Sequence, residues 1–310
     1  MLCKSILVTG ANGLLGYDVV KRLVADGRQV VAVDRTISDV KALTDRAFDL
    51  EIGDAHRLHE IAFRYGVDAI VHCGGFSGPT VGRDNPSLMF KVNIGGTLDV
   101  AEVARQITIR SGRCRLLFCS SLTAYGNQAV DDITEDFPLL SRQCYPSSKI
   151  AGEAIVSSYA AEHNVDAISL RIAGVYGPRR RTSCVLRLMI SNALAGRPTH
   201  LPYGNDFPRQ WVYVDDVVDG ILLALDVDRP STRTFNISGG INPTIDEAAS
   251  IIRELIPSAE ITLEEGADPE DVTLGLLSIE AARRELGYKP AVSLRDGIAR
   301  LLAAIKEQKA

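Results

Sequence analysis

The chain has 310 residues, of which 46% are hydrophobic and 24% are charged, and these proportions are typical of a globular protein of one large domain or two packed lobes. Its net charge of −5 leaves no excess of basic side chains to neutralise phosphates, so we expect no nucleic-acid partner. No apolar run reaches transmembrane length and no signal peptide is visible, so we expect no membrane partner and a cytoplasmic location.

The first recognisable unit is a strand, a glycine turn, a helix and a second strand. Lys4–Thr9 predicts the first strand, and the turn Gly10-Ala11-Asn12-Gly13-Leu14-Leu15-Gly16 follows at once. Tyr17–Asp26 has helical periodicity, and Val30–Val33 is a β-branched run that ends at an acidic residue. This order predicts a dinucleotide site, because the glycines allow a tight turn, close approach to a pyrophosphate and packing of the helix on its strand.

The acidic residue at the end of the second strand is Asp34. Its carboxylate can accept hydrogen bonds from the adenosine ribose hydroxyls and would repel a 2′-phosphate. This favours NAD as the cofactor, although the neighbouring Arg35 leaves NADP as a less favoured choice.

Strands and helices continue to alternate along the first half of the chain. The predicted elements are the strand Phe48–Ile52, a helix over 55–65, the strand Asp68–Cys73, a long helix Pro86–Gln106, the strand Leu116–Cys119, a helix Tyr145–His163 and the strand Val165–Arg171. Repeated strand–helix units with short links predict an α/β protein with a Rossmann-type, doubly wound parallel sheet covered on both faces.

Several polar and glycine residues follow directly after these predicted strands. They are Gly10, Asp34, Asp54, Gly74 and Ser121. Ligands of such folds bind at the carboxyl ends of the strands, so we expect these residues to meet in one site.

The pattern changes after Arg171. We therefore predict an NAD-binding domain over 1–172 and a smaller substrate-binding lobe over 173–310, with the segment 212–238 rejoining the main sheet. Within the second part we predict strands at Gln210–Val214, Thr234–Ile237 and Glu260–Leu263, and three helical segments after Thr244.

Tyr145 and Lys149 are four residues apart at the start of a predicted helix, so both side chains lie on one face. A tyrosine has an ordinary pKa of about 10, and an ammonium group beside it favours the phenolate. Such a pair can move protons near neutral pH. The spacing alone is weak evidence, because it also arises by chance on exposed helices.

The ordered set of motifs resembles the extended short-chain dehydrogenase/reductases and, more narrowly, the NAD-dependent epimerase/dehydratase family that acts on sugars. The resemblance is carried by the glycine turn, Gly53-Asp54, Asn93 in V-N-x-x-G-T, Ser120-Ser121 before Tyr125-Gly126, Tyr145-x-x-x-Lys149, Arg171 with Tyr176-Gly177-Pro178, Arg209 before Trp211-Val212-Tyr213-Val214-Asp215-Asp216, and Leu286-Gly287-Tyr288-x-Pro290.

The resemblance implies roles for individual residues. Tyr145 is implied as the acid/base, with Lys149 on the nicotinamide ribose and Ser121 on the same substrate oxygen. Implied cofactor-binding residues are Gly10, Asn12, Gly13, Leu14, Gly16, Asp34, Arg35, Asp54, Ala55, Gly74, Asn93, Tyr145 and Lys149. Implied substrate-binding residues are Ser121, Thr123, Arg179 and Arg209. The chemistry needs no metal, and the resemblance also implies a homodimer built through the helices at 86–106 and 145–163.

Departures from the family pattern narrow the reaction. Leu122 and Thr123 stand where the family's dehydratases carry Asp-Glu, so dehydration is not expected. Gly174 stands where nucleotide-sugar epimerases usually have Asn. The stretch Glu264–Pro269 carries acids where they usually have an Arg, and a carboxylate would repel a diphosphate. Arg209, however, occupies the family's diphosphate-contacting position.

Two enzyme functions therefore stay open. One is a nucleotide-sugar epimerase that reduces and reoxidises NAD within a single turnover. The other is a dehydrogenase of a free sugar or sugar acid that releases NADH. A non-catalytic NAD-sensing protein is a third hypothesis, and the intact Ser121, Tyr145 and Lys149 argue against it.

Overall fold

The computed structural model describes residues 3–51, 53–78 and 80–308. Its strands are β1 (Ser5–Thr9), β2 (Gln29–Asp34), β3 (Ala47–Asp49), β4 (Ala69–His72), β5 (Arg115–Ser121), β6 (Gln128–Ile133), β7 (Asp166–Ile172), β8 (Gly174–Tyr176), β9 (Thr199–Gly204), β10 (Trp211–Tyr213), β11 (Thr234–Ile237), β12 (Ile261–Glu264) and β13 (Leu274–Leu277). Its helices are α1 (Leu14–Ala25), α2 (Ala55–Arg64), α3 (Pro86–Phe90), α4 (Gly96–Ser111), α5 (Cys144–His163), α6 (Val185–Leu194), α7 (Val214–Asp226), α8 (Ile245–Leu255), α9 (Glu280–Leu286) and α10 (Leu294–Glu307). None of the helices in these ranges combines the length and apolarity needed to cross a membrane.

Seven parallel strands form the central sheet in the order β11-β7-β5-β4-β1-β2-β3. Val8 of β1 lies opposite Ala32 of β2 on one side and opposite Val71 of β4 on the other. The chain runs outward from β1 to β3 and then returns to β4 on the other side of β1, so the strand order reverses between β1 and β4. The predicted Rossmann-type, doubly wound sheet is confirmed.

The strands of the sheet are apolar on both faces because helices cover both. In β1 the side chains of Ile6 and Val8 pack in one buried cluster with Val20 of α1, whereas Leu7 packs in a second cluster with Ile61 of α2. All three β1 side chains are fully buried. A continuous apolar run, rather than an alternating one, is the pattern of such two-sided burial.

Among the described residues, two strand pairs connect the part of the chain after 173 with the part before it. β11 pairs with β7 at the edge of the main sheet, with Thr234 opposite Ser169. β13 pairs with β6, which lies before α5. β10, which was predicted within the rejoining segment, instead pairs with β8 in a separate two-stranded sheet. The boundary at 172/173 stays a prediction.

The predicted strand Phe48–Ile52 differs from β3. β3 begins one residue earlier and ends at Asp49, and Ile52 lies outside the described residues. Asp49 pairs with Asp34, the last residue of β2, so the chain beyond it has no further strand backbone to pair with. The end of β2 therefore sets the end of β3. The apolar run in the sequence contains no information about where the partner strand ends.

The predicted helix Pro86–Gln106 is interrupted in the structure. A π-helical turn over Lys91–Gly95 separates α3 from α4. Within it the carbonyl of Asn93 accepts a hydrogen bond from the hydroxyl of Thr97 at 2.6 Å. A side-chain bond of this kind competes with the helical ladder, and single π turns of this type are found mostly at functional sites.

The strands β6, β8, β9 and β13 were not predicted. β8 has only three residues and β9 contains Pro202, so neither has the periodic apolar signal of a longer strand. In contrast, β5 is longer than predicted and includes Ser120 and Ser121, which fixes the direction of both side chains.

A buried histidine ties β1, β4 and α4 together. His72 Nδ1 lies 2.6 Å from Thr9 Oγ1 and its Nε2 lies 3.2 Å from Thr97 Oγ1. Because the Thr97 hydroxyl donates to the carbonyl of Asn93, the Nε2–H of His72 must donate to Thr97, and Nδ1 accepts from Thr9. Burial, with Lys149 nearby as a second cause, lowers the pKa of His72 to about 3.

We predict that His72 makes folding less favourable at acidic pH. Between its ordinary pKa of 6.5 and its folded value of about 3, the unfolded chain binds a proton that the folded chain excludes. The free energy of unfolding therefore falls as the pH drops, by at most about 1.4 kcal/mol per pH unit. Denaturant titrations of the wild type and His72→Asn, over about pH 4 to 7, should give a difference that changes with this slope. A difference that is the same at every pH would contradict a neutral His72.

Candidate active site

A cleft of about 760 Å³ opens at the carboxyl edge of the central sheet. The five residues that follow the predicted strands, from Gly10 to Ser121, all line it. The opposite wall comes from the later part of the chain and includes Arg180, Gln210 and Asp271. The strand ends thus converge on one cavity.

The glycine turn packs tightly against the backbone of the residues that directly follow β4. Gly10 has φ +65°, and a Cβ there would lie 2.7 Å from the backbone of Gly74. A Cβ at Gly16 would lie 2.1 Å from the Gly10 carbonyl oxygen. Gly13 is the N-cap of α1 and makes no side-chain bond to the first amides of the helix, and Gly13, Leu14 and Leu15 line the cleft. These amides and the positive end of the helix dipole fit a pyrophosphate.

Asp34 lines the cleft at the end of β2. Its Oδ2 accepts a hydrogen bond from the backbone N–H of Asn12 at 2.9 Å, and both residues line the cleft with Arg35. The side chain of Asn12 accepts from the amides of Asp39 and Val40. Asn12 therefore fastens the glycine turn to the loop after β2 and keeps Asp34 in place.

Three residues predicted to contact the cofactor have other structural partners. Asp54 lines the cleft, but its Oδ1 caps α2 by accepting from the N–H of Arg57. Ala55 begins α2 and is not among the described residues of the cleft wall. Asn93 is also absent from that part of the wall: its amide bonds to the backbone of Phe76 and to Ser148 Oγ. Asn93 therefore supports the loop that follows β4.

Tyr145, Lys149 and Ser121 meet on one wall of the cleft. Tyr145 lies in the first turn of α5 and Lys149 one turn later, and both are at least 92% buried. The Lys149 ammonium donates to the carbonyl of Cys119 at 2.9 Å and lies 6.0 Å from the centre of the Tyr145 ring. Ser121 Oγ lies 2.9 Å from Thr123 Oγ1. A tyrosine, a cation and two hydroxyls thus line the same cleft.

A buried polar network holds together the strand β5 and the helix α5, which carry Ser121, Tyr145 and Lys149. The hydroxyl of Ser120 donates to Glu153 Oε1 at 2.5 Å. Glu153 also accepts from Arg171, whose guanidinium donates to the hydroxyl of Tyr125 at 2.9 Å. Burial raises the pKa of Tyr125 to about 12, so it stays a neutral link to Asn236. The motifs around Tyr125 and Arg171 thereby join β5, α5, β7 and β11.

The two arginines predicted to bind substrate are both paired with carboxylates. The Arg179 guanidinium lies 3.7 Å from the centre of the Tyr17 ring and donates to Asp39, which places it beside α1 and the loop after β2. Arg209 pairs with Asp268 at 3.1 Å and with Asp271 at 2.8 Å. Both arginines line the cleft.

Several residues that line the cleft were not predicted from the sequence. Gln210 is buried, donates to the carbonyl of Gly275 and accepts from the amide of Leu277, so it holds β13 against the site. Asn242 and Asp271 come from loops far apart in the sequence. In the described ranges, no group of three or more His, Cys, Asp or Glu side chains is arranged to hold a metal ion.

The profile of the NAD dependent epimerase/dehydratase family matches residues 6–238. The chain belongs to this family. It is 29% identical to UDP-glucuronic acid decarboxylase 6 of Arabidopsis thaliana, over 94% of this chain and 86% of the relative. It is also 29% identical to UDP-glucose 4-epimerase of Mycolicibacterium smegmatis, over 95% of this chain and 96% of that protein.

Solved structures of epimerases have the same fold. The structure of UDP-glucose 4-epimerase from Thermotoga maritima with UDP-glucose superposes with a TM-score of 0.89 and 26% identity, over 99% of this chain and 100% of the other. That of Thermus thermophilus UDP-glucose 4-epimerase with NAD gives 0.84 and 25%, over 97% and 99%. The predictions of an NAD-dependent enzyme, this family and NAD as cofactor are confirmed. The glycine turn, the free start of α1 and Asp34 also fit NAD.

Proposed function

We propose that the protein transfers a hydride to and from a secondary hydroxyl carbon of a sugar, with Tyr145 as the acid/base. The observation that carries this proposal is the meeting of Ser121, Tyr145 and Lys149 on the wall of the cleft that the glycine turn also lines. NAD, when bound, supplies the hydride acceptor and donor.

Each of the three residues has a separate task in the proposal. Tyr145 takes the proton from the substrate hydroxyl and returns it when the carbonyl is reduced. Lys149, held by the carbonyl of Cys119, stabilises negative charge on the tyrosine oxygen and binds the nicotinamide ribose. Ser121 donates to the same substrate oxygen, while Thr123 keeps the serine hydroxyl oriented.

The first candidate reaction is epimerisation of a nucleotide sugar. Relatives in both comparisons are UDP-glucose 4-epimerases, and one solved relative was crystallised with UDP-glucose. In this reaction the hydride returns to the substrate within one turnover, so no NADH is released. Leu122 and Thr123 supply no carboxylate beside Ser121, which argues against water elimination.

The second candidate is a dehydrogenase of a free sugar or sugar acid. It is favoured by one observation: the charge of Arg209 is shared by the carboxylates of Asp268, which is only 6% exposed, and Asp271. A diphosphate arriving there would meet two negative charges and one positive charge. A substrate without a diphosphate avoids that repulsion.

We predict that Tyr145→Phe lowers kcat by about 100-fold or more, because general acid–base catalysis contributes roughly 10²–10⁴-fold. NAD affinity, measured by calorimetry, should stay within a few-fold of the wild type. Tyr159→Phe is the matched control, since Tyr159 lies on the same helix with its hydroxyl toward Glu102. An unchanged turnover in Tyr145→Phe would remove the proposed role.

We predict that nucleotide sugars are converted without accumulation of NADH. The protein is mixed with NAD and with UDP-glucose, UDP-glucuronic acid, free sugars or sugar acids. Near-ultraviolet absorbance reports NADH, and chromatography reports isomerised or decarboxylated product. Steady NADH growth with a free sugar or its acid would establish the second candidate.

If a nucleotide sugar reacts, Arg209→Ala should raise its KM about 10- to 100-fold with little change in kcat.

We also propose a homodimer through α4 and α5, which pack side by side on one face of the sheet. α4 exposes Leu98 at 45% and Ile109 at 63%, which a second copy would cover. Sedimentation at micromolar concentration should give twice the chain mass, and Leu98→Glu should give the monomer. Leu188→Glu on α6, where Leu188 is equally exposed, is the control and should leave the dimer intact. A monomeric wild type would refute this assembly.

A further inference from the structure

Two cysteine thiols touch at the floor of the cleft. The Sγ atoms of Cys73 and Cys119 are 3.5 Å apart. Cys73 directly follows β4 and Cys119 lies within β5, and the parallel register that pairs His72 with Phe118 sets the two cysteines opposite each other. Both are free thiols that line the cleft; Cys73 is half-buried and Cys119 is buried.

The backbone positions of the two residues suit a covalent bond. Neighbouring strands lie about 4.8 Å apart, within the range of about 4.4–6.8 Å that disulfides span between Cα atoms. A disulfide has a sulfur–sulfur length of about 2.05 Å, so the sulfurs of Cys73 and Cys119 need to approach by about 1.5 Å. Side-chain rotation with a small strand movement provides this approach.

The surroundings favour reaction at Cys119. The hydrogen bond shared with Cys73 lowers the pKa of Cys119, burial opposes this, and the nearby Lys149 ammonium lowers it further. The same hydrogen bond, together with burial, raises the pKa of Cys73, and burial raises the pKa of Cys3 and of Cys114. The thiolate is the form that attacks a peroxide, so Cys119 is the member of the pair that we expect to react first.

We propose that Cys73 and Cys119 are an oxidative modification site that forms a reversible disulfide with a hydroperoxide. The Cys119 thiolate attacks the peroxide oxygen, breaks the O–O bond and becomes a sulfenic acid, with release of the leaving oxygen as water or alcohol. The Cys73 sulfur then attacks the Cys119 sulfur, displaces hydroxide and forms the S–S bond. The two thiols lose two electrons and two protons, and the peroxide is reduced.

The disulfide would act on the active site through Lys149. The carbonyl of Cys119 accepts the hydrogen bond that holds the Lys149 ammonium, so moving Cys119 shifts that ammonium. Cys73 also precedes Gly74, against which the glycine turn packs. Oxidation is therefore expected to weaken NAD binding about tenfold. This effect on NAD binding rests on the proposed role of Lys149, whereas the formation of the disulfide does not.

The test treats the full-length protein with hydrogen peroxide and compares intact masses and peptide maps without reductant. The expected product is lighter by two hydrogen atoms, contains a Cys73–Cys119 crosslink and returns to the starting mass with dithiothreitol. NAD bound beforehand should slow the reaction, because it covers the cleft. NAD affinity, measured by calorimetry, should fall on oxidation and recover on reduction.

Two variants test whether the change comes from Cys73 and Cys119 or from the exposed thiol of Cys144, which is next to Tyr145. Cys144→Ser should oxidise like the wild type, and Cys73→Ala should gain no crosslink and lose no NAD affinity on treatment. The proposal is overturned if the wild-type map shows no Cys73–Cys119 crosslink, or if Cys144→Ser abolishes the change. The map of the wild type decides the matter even if Cys73→Ala fails to fold. A crosslink with unchanged NAD affinity would keep the modification site and reject only the role of Lys149.

Discussion

The buried ion pair between Glu153 and Arg171 holds the active site together. Both side chains are more than 90% buried, and the pair also receives the hydroxyl of Ser120. Removing one partner of such a pair costs about 3–5 kcal/mol, because the other charge is left unpaired in the interior. Glu153 lies on the helix that carries Tyr145 and Lys149, while Ser120 precedes Ser121 on β5. The pair therefore fixes the helix that carries Tyr145 relative to the strand that carries Ser121.

Much of the architecture was predictable because its signals are local. The glycine turn, the β-branched strand that ends at Asp34 and the repeated strand–helix units follow from the nearest residues of the chain. Since the carboxyl ends of parallel strands share one edge, the convergence of Gly10, Gly74 and Ser121 also followed without coordinates. The strand Thr234–Ile237 was predicted to return to the main sheet, and it pairs there with β7, although β10 goes to a different sheet.

The remaining features depend on partners that are distant in sequence. The end of β3 is set by the end of β2, and the break in the predicted helix at 86–106 by side-chain bonds at Thr97 and Asn93. Asn93 belongs to a recognisable motif, but only the fold reveals that its amide supports a loop. The acids after Glu264 were noticed as a departure, yet their pairing with Arg209 joins residues about sixty positions apart. No local pattern encodes such contacts.

A crystal structure of the protein with NAD tests the central claim most directly. We expect the pyrophosphate to lie against the start of α1, the adenosine ribose on Asp34, and the nicotinamide beside Tyr145 and Lys149. Reversed NAD, or a nicotinamide far from Tyr145, would contradict the proposal that these residues form one catalytic site.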